Sequence, residues 1–137
     1  MDKPILGFFS HSPKSFNTER EVREYDFISR FYKSYIISPN IHLVYKKMSV
    51  YNQYFQLIDL VDFMVVSAFN GTIGRGSYYE VKQALERNIP IHEIYPIGKG
   101  FKIRKVVAVK LLPVNNITNY AKLLTIPLKN ISYKNLL

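Results

Sequence analysis

The stretch from Phe63 to Phe69 is an uninterrupted run of apolar and small side chains, Phe-Met-Val-Val-Ser-Ala-Phe. It has the length of a strand and shows no alternation of polar and apolar residues, which predicts a strand buried on both faces. Such strands are typical of parallel sheets with helices on both sides. Further strands are predicted at residues 4–10, 35–37, 41–45, 89–95 and 103–114.

Helical patterns separate most of these strands. Thr18-Glu-Arg-Glu21 has the spacing of a capping box, in which a Thr hydroxyl and a Glu carboxylate satisfy each other's free amides. Apolar residues follow at helical spacing, so a helix is predicted to continue to about Lys33. Three more helices are predicted, at residues 49–61, 77–88 and 118–124.

Regular alternation of strands and helices implies right-handed crossovers and a parallel sheet. The predicted fold is therefore α/β: a Rossmann- or flavodoxin-like three-layer sandwich with a mainly parallel five-stranded sheet. At 137 residues the chain has the commonest domain size, so one domain is expected over residues 1–125. The tail at 126–137 is expected to be loosely ordered or docked on a neighbouring subunit.

Several classes of protein are excluded by what the sequence lacks. There is no cysteine, hence no disulfide or thiolate metal site. The three histidines fall on different elements without metal-ligand spacing, so neither a metal nor another cofactor is expected. No apolar run approaches the ~20 residues of a membrane helix, and Met1-Asp-Lys-Pro4 carries no cationic leader. A cytoplasmic protein without a membrane partner is expected.

The charge is strongly basic. Nineteen basic residues against ten acidic ones give a formal net charge of +9, and no acidic residue follows Glu93. Such a field attracts anions, including nucleotides and nucleic acids. The alternative is that lysines merely keep a Tyr- and Ile-rich protein in solution. Because the basic residues are spaced singly, nucleic acid is the less favoured partner.

Two polar loops follow predicted strands and point to a ligand site. The carboxyl ends of parallel strands lie on one rim of a sheet, which places the Ser10–Asn17 loop and the Asn70–Ser77 loop together. The second loop, Asn-Gly-Thr-Ile-Gly-Arg-Gly-Ser, has three glycines that allow positive φ and close approach of a ligand. The amides at the start of the next helix and the Arg75 guanidinium suit a phosphate or another anion.

Glu80 allows two interpretations. Ser77-Tyr-Tyr-Glu80 is itself spaced as a capping box, so the carboxylate would tie off the helix, and the residues alone favour this role. Alternatively, a carboxylate on the rim can act on a substrate. His11, on the same rim, is expected to be either a ligand contact or an exposed loop residue. Asp59 and Asp62 are expected to be solvated or capping carboxylates.

The segments from Ile58 to Phe69 and from Gly74 to Ile91 resemble the nucleoside 2-deoxyribosyltransferase superfamily, which includes the deoxynucleoside 5′-monophosphate N-glycosidases. The shared pattern is an aspartate, an apolar strand, a Ser- or Gly-rich turn, Gly-x-x-x-Glu, a helix with Ala, and an x-Pro-apolar sequence. The likeness covers about the first 95 residues and is strongest from Asp59 to Ile91.

The resemblance implies that Glu80 is a nucleophile that attacks the sugar C1′ while the base departs. The implied activity is hydrolysis or transfer at the N-glycosidic bond of a nucleoside or (deoxy)nucleotide. A homodimer or larger assembly is also implied, in which Asn116 completes the site of a neighbouring subunit. The residues expected to bind the substrate are Ser10, His11, Asn52, Tyr54, Asn70, Gly74, Arg75, Gly76, Ser77 and Tyr79.

Three positions depart from the family pattern. Gly74 stands where the monophosphate glycosidases keep a Ser for the phosphate, and Tyr78 replaces a glycine before the glutamate. Tyr54 aligns with an aspartate that assists the leaving base. The loss of this aspartate leaves open a non-catalytic protein of the same fold that binds, senses or sequesters a nucleotide. A basic nucleic-acid-associated protein is a further alternative, and TIR-type NAD-cleaving domains are a more distant resemblance.

Overall fold

The computed structural model describes residues 5–42, 56–113 and 120–128. These residues form a mixed α/β fold around one seven-stranded sheet. The strands are β1 (Leu6–Ser10), β2 (Tyr35–Ile37), β3 (Phe63–Ser67), β4 (Thr72–Ile73), β5 (Ile91–Ile97), β6 (Gly100–Leu111) and β7 (Ala121–Pro127). The α-helices with assigned bounds are α1 (Glu19–Tyr32), α2 (Pro39–His42) and α3 (Arg75–Glu86), and a 3₁₀ turn covers Pro13–Ser15.

The sheet is parallel on one side and antiparallel on the other, in the order β2-β1-β3-β5-β6-β7-β4. Strands β2, β1, β3 and β5 are parallel, whereas β6, β7 and β4 join by antiparallel pairing. The α/β class is therefore confirmed, but the mainly parallel five-stranded sheet is wrong. The reason is the short loop of Gly98 and Lys99, with φ of 56° at Gly98, which returns the chain as a hairpin.

The C-terminal part of the described chain also differs from the prediction. The helix expected at 118–124 is instead strand β7 from Ala121 onward. Ala121 and Leu123 are buried while Lys122 and Leu124 are exposed, a period of two that fits a strand. Residues 126 and 127 belong to this strand, so it crosses the boundary predicted at 125. Residues 129–137 lie outside the described residues.

Helix α1 follows the prediction closely. The Thr18 hydroxyl accepts from the Glu21 amide, and Lys33 ends the helix with a φ of 50°. Only half of the capping box forms, because the Glu21 carboxylate accepts from the Asn17 amide rather than from the Thr18 amide.

The segment after β2 is helical where a strand was predicted. Pro39 begins helix α2, since proline suits the first turn of a helix. The rest of the strand predicted at 41–45 lies outside the described residues. Of the helix predicted at 49–61, residues 56–58 are helical, and Ile58 and Val61 are buried.

The core lies on both faces of the sheet. On one face, Val81 and Ala84 of α3 pack with Phe8, Met64 and Val66. On the other face, α1 packs against alternate residues of the same strands, including Phe9, Phe63 and Val65. As predicted, β3 is buried on both sides. Within the described residues, no helix is long and apolar enough to cross a membrane.

Candidate functional site at the carboxyl ends of the parallel strands

The carboxyl ends of β1 and β3 lie between helices that cover opposite faces of the sheet. Helix α1 follows β1 on one face, and α3 follows β3 on the other. The strands are in register up to the pair Ser10 and Val66. Adjacent strands whose helices leave to opposite faces create a crevice, which is the usual ligand position in open α/β sheets.

Ser10 and Glu80 meet at this edge. The Ser10 hydroxyl donates a 2.8 Å hydrogen bond to Glu80 Oε1. Ser10 is fully buried and only 8% of Glu80 is exposed. Burial raises the pKa of Glu80 to about 7, although the Ser10 hydroxyl acts in the opposite direction. Glu80 is therefore present in both protonation states near neutral pH.

The position of Glu80 in its helix excludes the capping role. The N-cap of α3 is Gly74 and has no side-chain hydrogen bond. Helix α3 begins two residues before the predicted start at Ser77, so Glu80 lies in its second turn. The capping-box interpretation of Ser77 and Glu80 is wrong. A buried carboxyl group in the second turn does not satisfy the free amides of a helix start.

The Gly-rich turn is more regular than expected. Asn70 (φ 53°) and Gly71 (φ 79°) form the tip of a hairpin in which Phe69 and Thr72 exchange backbone hydrogen bonds. Both positive φ angles are typical of an Asn-Gly type I′ turn. Gly74 has φ of −81°, and Gly76 lies inside α3. Positive φ is thus confined to Gly71 among the three glycines.

Tyr120, the residue before β7, contacts both the end of β4 and the start of α3. The Tyr120 amide donates to the Ile73 carbonyl, and the Arg75 guanidinium lies 5.4 Å from the centre of the Tyr120 ring. Ser77, in the first turn of the helix, is buried. The proposed anion position at this helix start is therefore flanked by an aromatic side chain.

His11 is buried rather than exposed. Its Nε2 lies 2.6 Å from a Glu21 carboxylate oxygen, and its Nδ1 lies 3.2 Å from the Phe9 carbonyl. The imidazole stacks on the Phe9 ring at 4.0 Å. Burial opposes ionisation of Glu21, but hydrogen bonds from His11, Asn17 and Asn40 outweigh it and lower the pKa of Glu21. His11 thus fastens the loop after β1 to helix α1.

Tyr79 does not join Ser10 and Glu80. It is 42% exposed and lines a different cleft with Asp59 and Arg87. The Asp59 carboxylate accepts from Gln83 and Arg87, and these contacts lower its pKa. Asp62 accepts from the Leu6 amide at 2.8 Å. Asn52, Tyr54 and Asn116 lie outside the described residues, so their predicted roles stay predictions.

A buried polar network at the end of β3 was missed from the sequence. The Ser67 hydroxyl lies 2.7 Å from one Glu24 carboxylate oxygen and 2.9 Å from the other. Burial raises the pKa of Glu24, which Ser67 and Arg20 only partly offset. Arg20 also donates to Ser67 Oγ at 3.1 Å. The available signals were the i,i+4 spacing of Arg20 and Glu24 and the single polar residue in the apolar run.

A second missed pair joins β5 and β6. Arg104 Nε donates to the buried Glu93 carboxylate at 2.6 Å, and the two residues are cross-strand partners. This pairing becomes visible in the sequence only once the hairpin at Gly98 is recognised. Among the described residues, no group of three or more His, Asp or Glu side chains is placed to hold a metal ion.

No protein-family model matches the sequence, and no curated protein and no solved structure matches the chain.

Proposed function

We propose that this protein cleaves or transfers at the N-glycosidic bond of a nucleoside or (deoxy)nucleotide, with Glu80 as the nucleophile. The observation that carries the proposal is the buried Glu80 carboxyl group, held by Ser10 at the carboxyl end of β1. The proposal also rests on the resemblance of residues 59–91 to the nucleoside 2-deoxyribosyltransferase superfamily.

The hydrogen bond from Ser10 makes the two oxygens of the Glu80 carboxylate different from each other. Oε1 accepts from the hydroxyl, so Oε2 is the oxygen proposed to attack. A bond forms from Oε2 to C1′ while the C1′–N bond breaks, and the electron pair leaves with the base, which takes up a proton. Water or a second base then displaces Glu80 from C1′, which gives hydrolysis or transfer.

The pKa of Glu80 sets the expected pH dependence. Attack requires the carboxylate, and the pKa of about 7 means that this form increases as pH rises through neutrality. Burial also removes water from the charge, which strengthens its interaction with a developing positive sugar. The rate of base release should therefore rise between about pH 6 and 8, where an ordinary glutamate would already be fully ionised.

The test is base release from a panel of nucleosides, deoxynucleoside monophosphates and NAD, followed by chromatography. We expect release by the wild type and loss of at least about a thousandfold in Glu80→Ala and Glu80→Gln, since a nucleophile is removed. Glu86→Gln is the matched control, because Glu86 is exposed on the same helix. Equal rates in Glu80→Gln and the wild type would exclude the nucleophile role.

A non-catalytic nucleotide binder is the second candidate. One observation favours it: among the described residues, Ser10 is the only hydrogen-bond partner of Glu80, with no second carboxylate beside it. Such a protein would release no base from any substrate, yet a nucleotide would raise its melting temperature. This outcome would contradict the proposed reaction but would support a nucleotide as the ligand.

A further inference from the structure

A second cleft opens between the end of β3 and the outer half of the β5–β6 hairpin. Its volume is about 400 Å³, a size that suits a small molecule. The residues that matter for its chemistry are Arg20, Phe69, Tyr95 and Arg104. Ser10 and Glu80 do not line it, whereas Asn70, one of the residues predicted to bind the substrate, does.

Both arginines of the cleft are held in place before any ligand binds. Arg104 donates to Glu93 through Nε and stacks 4.1 Å above the Tyr95 ring. Arg20 donates to the Ala68 carbonyl at 2.7 Å and lies 4.4 Å from the centre of the Phe69 ring. Fixing a guanidinium in advance reduces the conformational entropy that binding would otherwise cost.

The arginines of the cleft have N–H groups without a hydrogen-bond partner among the described residues, whereas the nearby carboxylates already accept hydrogen bonds. Glu93 is buried and bonded to Arg104, and Glu24 behind the cleft is bonded to Ser67. Within residues 5–42, 56–113 and 120–128, Nη1 and Nη2 of Arg104 and Nη1 of Arg20 have no hydrogen-bond partner. An anionic ligand would satisfy these donors, whereas a cationic one would find no free carboxylate.

We propose that this cleft binds a phosphate group, either free or esterified to a small molecule such as a nucleoside. A guanidinium presents parallel N–H groups that match phosphate oxygens. A phosphate has enough oxygens to accept from Arg20 and Arg104 together, which a carboxylate with two oxygens does less well. The excess of basic residues in the chain adds a favourable field. The proposal does not depend on the reaction assigned to Glu80.

The direct test is calorimetric titration with inorganic phosphate, AMP and adenosine. The wild type should bind phosphate, AMP or both saturably, and adenosine at least about tenfold more weakly than AMP, because it lacks the charged group. Tighter binding of AMP than of phosphate assigns the ester as the ligand, and equal binding assigns the phosphate group alone.

The variants are chosen to distinguish weaker binding that follows from losing the Arg104 contact from weaker binding that follows from unfolding. Arg104→Gln combined with Glu93→Gln removes the guanidinium without leaving a buried charge, and should weaken phosphate or AMP binding about tenfold or more. Arg104→Lys keeps the positive charge but loses the parallel N–H groups of the guanidinium, so this variant should bind phosphate or AMP more weakly than the wild type. The matched control is Arg87→Gln with Asp59→Asn, which removes an exposed pair elsewhere and should change nothing.

Two further results decide the proposal. Glu80→Gln should bind inorganic phosphate as the wild type does, which separates this cleft from the proposed catalytic site. The proposal is overturned if adenosine binds as tightly as AMP, if the folded double variant binds like the wild type, or if neither phosphate nor AMP binds saturably at millimolar concentration. Thermal unfolding of each variant establishes that it is folded.

Discussion

At the scale of single residues, burial shifts the pKa values of Glu80 and His92 in opposite directions. Burial disfavours the charged form of each, so the pKa of Glu80 rises to about 7 and that of His92 falls to about 4, where Lys105 adds to the effect. His92 lies in the core, with its Nδ1 2.8 Å from the Tyr32 hydroxyl. Glu80 lies in the second turn of α3, with its carboxyl group against Ser10 at the carboxyl end of β1.

Replacing Glu80 by Gln should stabilise the protein at alkaline pH. The folded pKa of about 7 lies above the unfolded value of 4.5. The favourable contribution of the neutral carboxyl is therefore present below pH 4.5 and lost as pH rises through 7. At pH 8 the wild type carries a buried charge that Gln lacks, a difference of about 3 kcal/mol. The measurement is thermal unfolding at pH 5 and pH 8.

Glu86→Gln provides the comparison, since Glu86 is exposed on the same helix. Its melting temperature should follow the wild type at both pH values. A Glu80→Gln variant that is less stable than the wild type at pH 8 would contradict the raised pKa, because it would mean that the folded protein stabilises the Glu80 carboxylate.

The sequence singled out Glu80 and left two interpretations open, a helix cap and a carboxylate that acts on a substrate. From the residues alone, Ser77 and Glu80 fit a capping box, and only the true start of the helix at Arg75 excludes it. A shift of two residues at a helix boundary is within ordinary uncertainty, because several residues of this turn are acceptable caps. Ser10, by contrast, was placed correctly on the rim by the strand that precedes it.

At the scale of secondary-structure elements, the turn before α3 decides how the three glycines should be interpreted. Gly71 needs its positive φ of 79°, while Gly74 and Gly76 have negative or helical φ and open space where a Cβ would lie. The backbone conformation therefore does not require glycine at Gly74 or Gly76.

Alanine substitutions should therefore differ in sign along this turn. Gly71→Ala should lower the free energy of unfolding by about 1 kcal/mol, because Ala is strained at positive φ. Gly76→Ala should raise it by up to about 1 kcal/mol, because Ala is the better helix former. Urea unfolding measures both. Destabilisation by Gly76→Ala would indicate a contact that the open space around this position does not suggest.

The same scale shows which elements the sequence could predict. Helix α1 and strands β1 and β3 carry strong local patterns and were found. The antiparallel half was missed for two reasons. The short turn at Gly98-Lys99 joins β5 directly to β6, and the chain from Ala121 onward, which was predicted to be part of a helix, forms β7 instead. Once β6 is assigned to a hairpin, the pairing of Glu93 with Arg104 follows from the register.

At the scale of the whole molecule, strands β6 and β7 form a ribbon that carries basic side chains and no acidic ones. Lys105, Lys110 and Lys122 are exposed there, and in the described part of the chain none forms an ion pair. Lys110 and Lys122 are direct cross-strand partners, an arrangement of like charges that costs stability. A polyanion would relieve this repulsion.

Binding of a single-stranded oligonucleotide tests the nucleic-acid alternative. If about three lysines contact phosphates, affinity should fall roughly tenfold or more between 50 and 200 mM salt. At a fixed salt concentration, Lys110→Glu should bind the oligonucleotide more weakly than the wild type, while Glu80→Gln should bind it as the wild type does. Fluorescence anisotropy gives each affinity. Binding that ignores salt, or that disappears in Glu80→Gln, would place the oligonucleotide at the candidate active site instead of the ribbon.

The pairing of β4 with β7 has a consequence for the order in which the protein folds. Ile73 pairs with Ala121, and the Leu123 amide donates to the Gly71 carbonyl. The turn that leads into the helix of Glu80 is thus fixed by a segment far away in the sequence. Contacts between distant segments form slowly, because the entropy of closing the intervening chain is lost before the contact forms. We therefore expect the local hairpin at Asn70-Gly71 and helix α3 to form before β7 fixes the turn that positions Glu80.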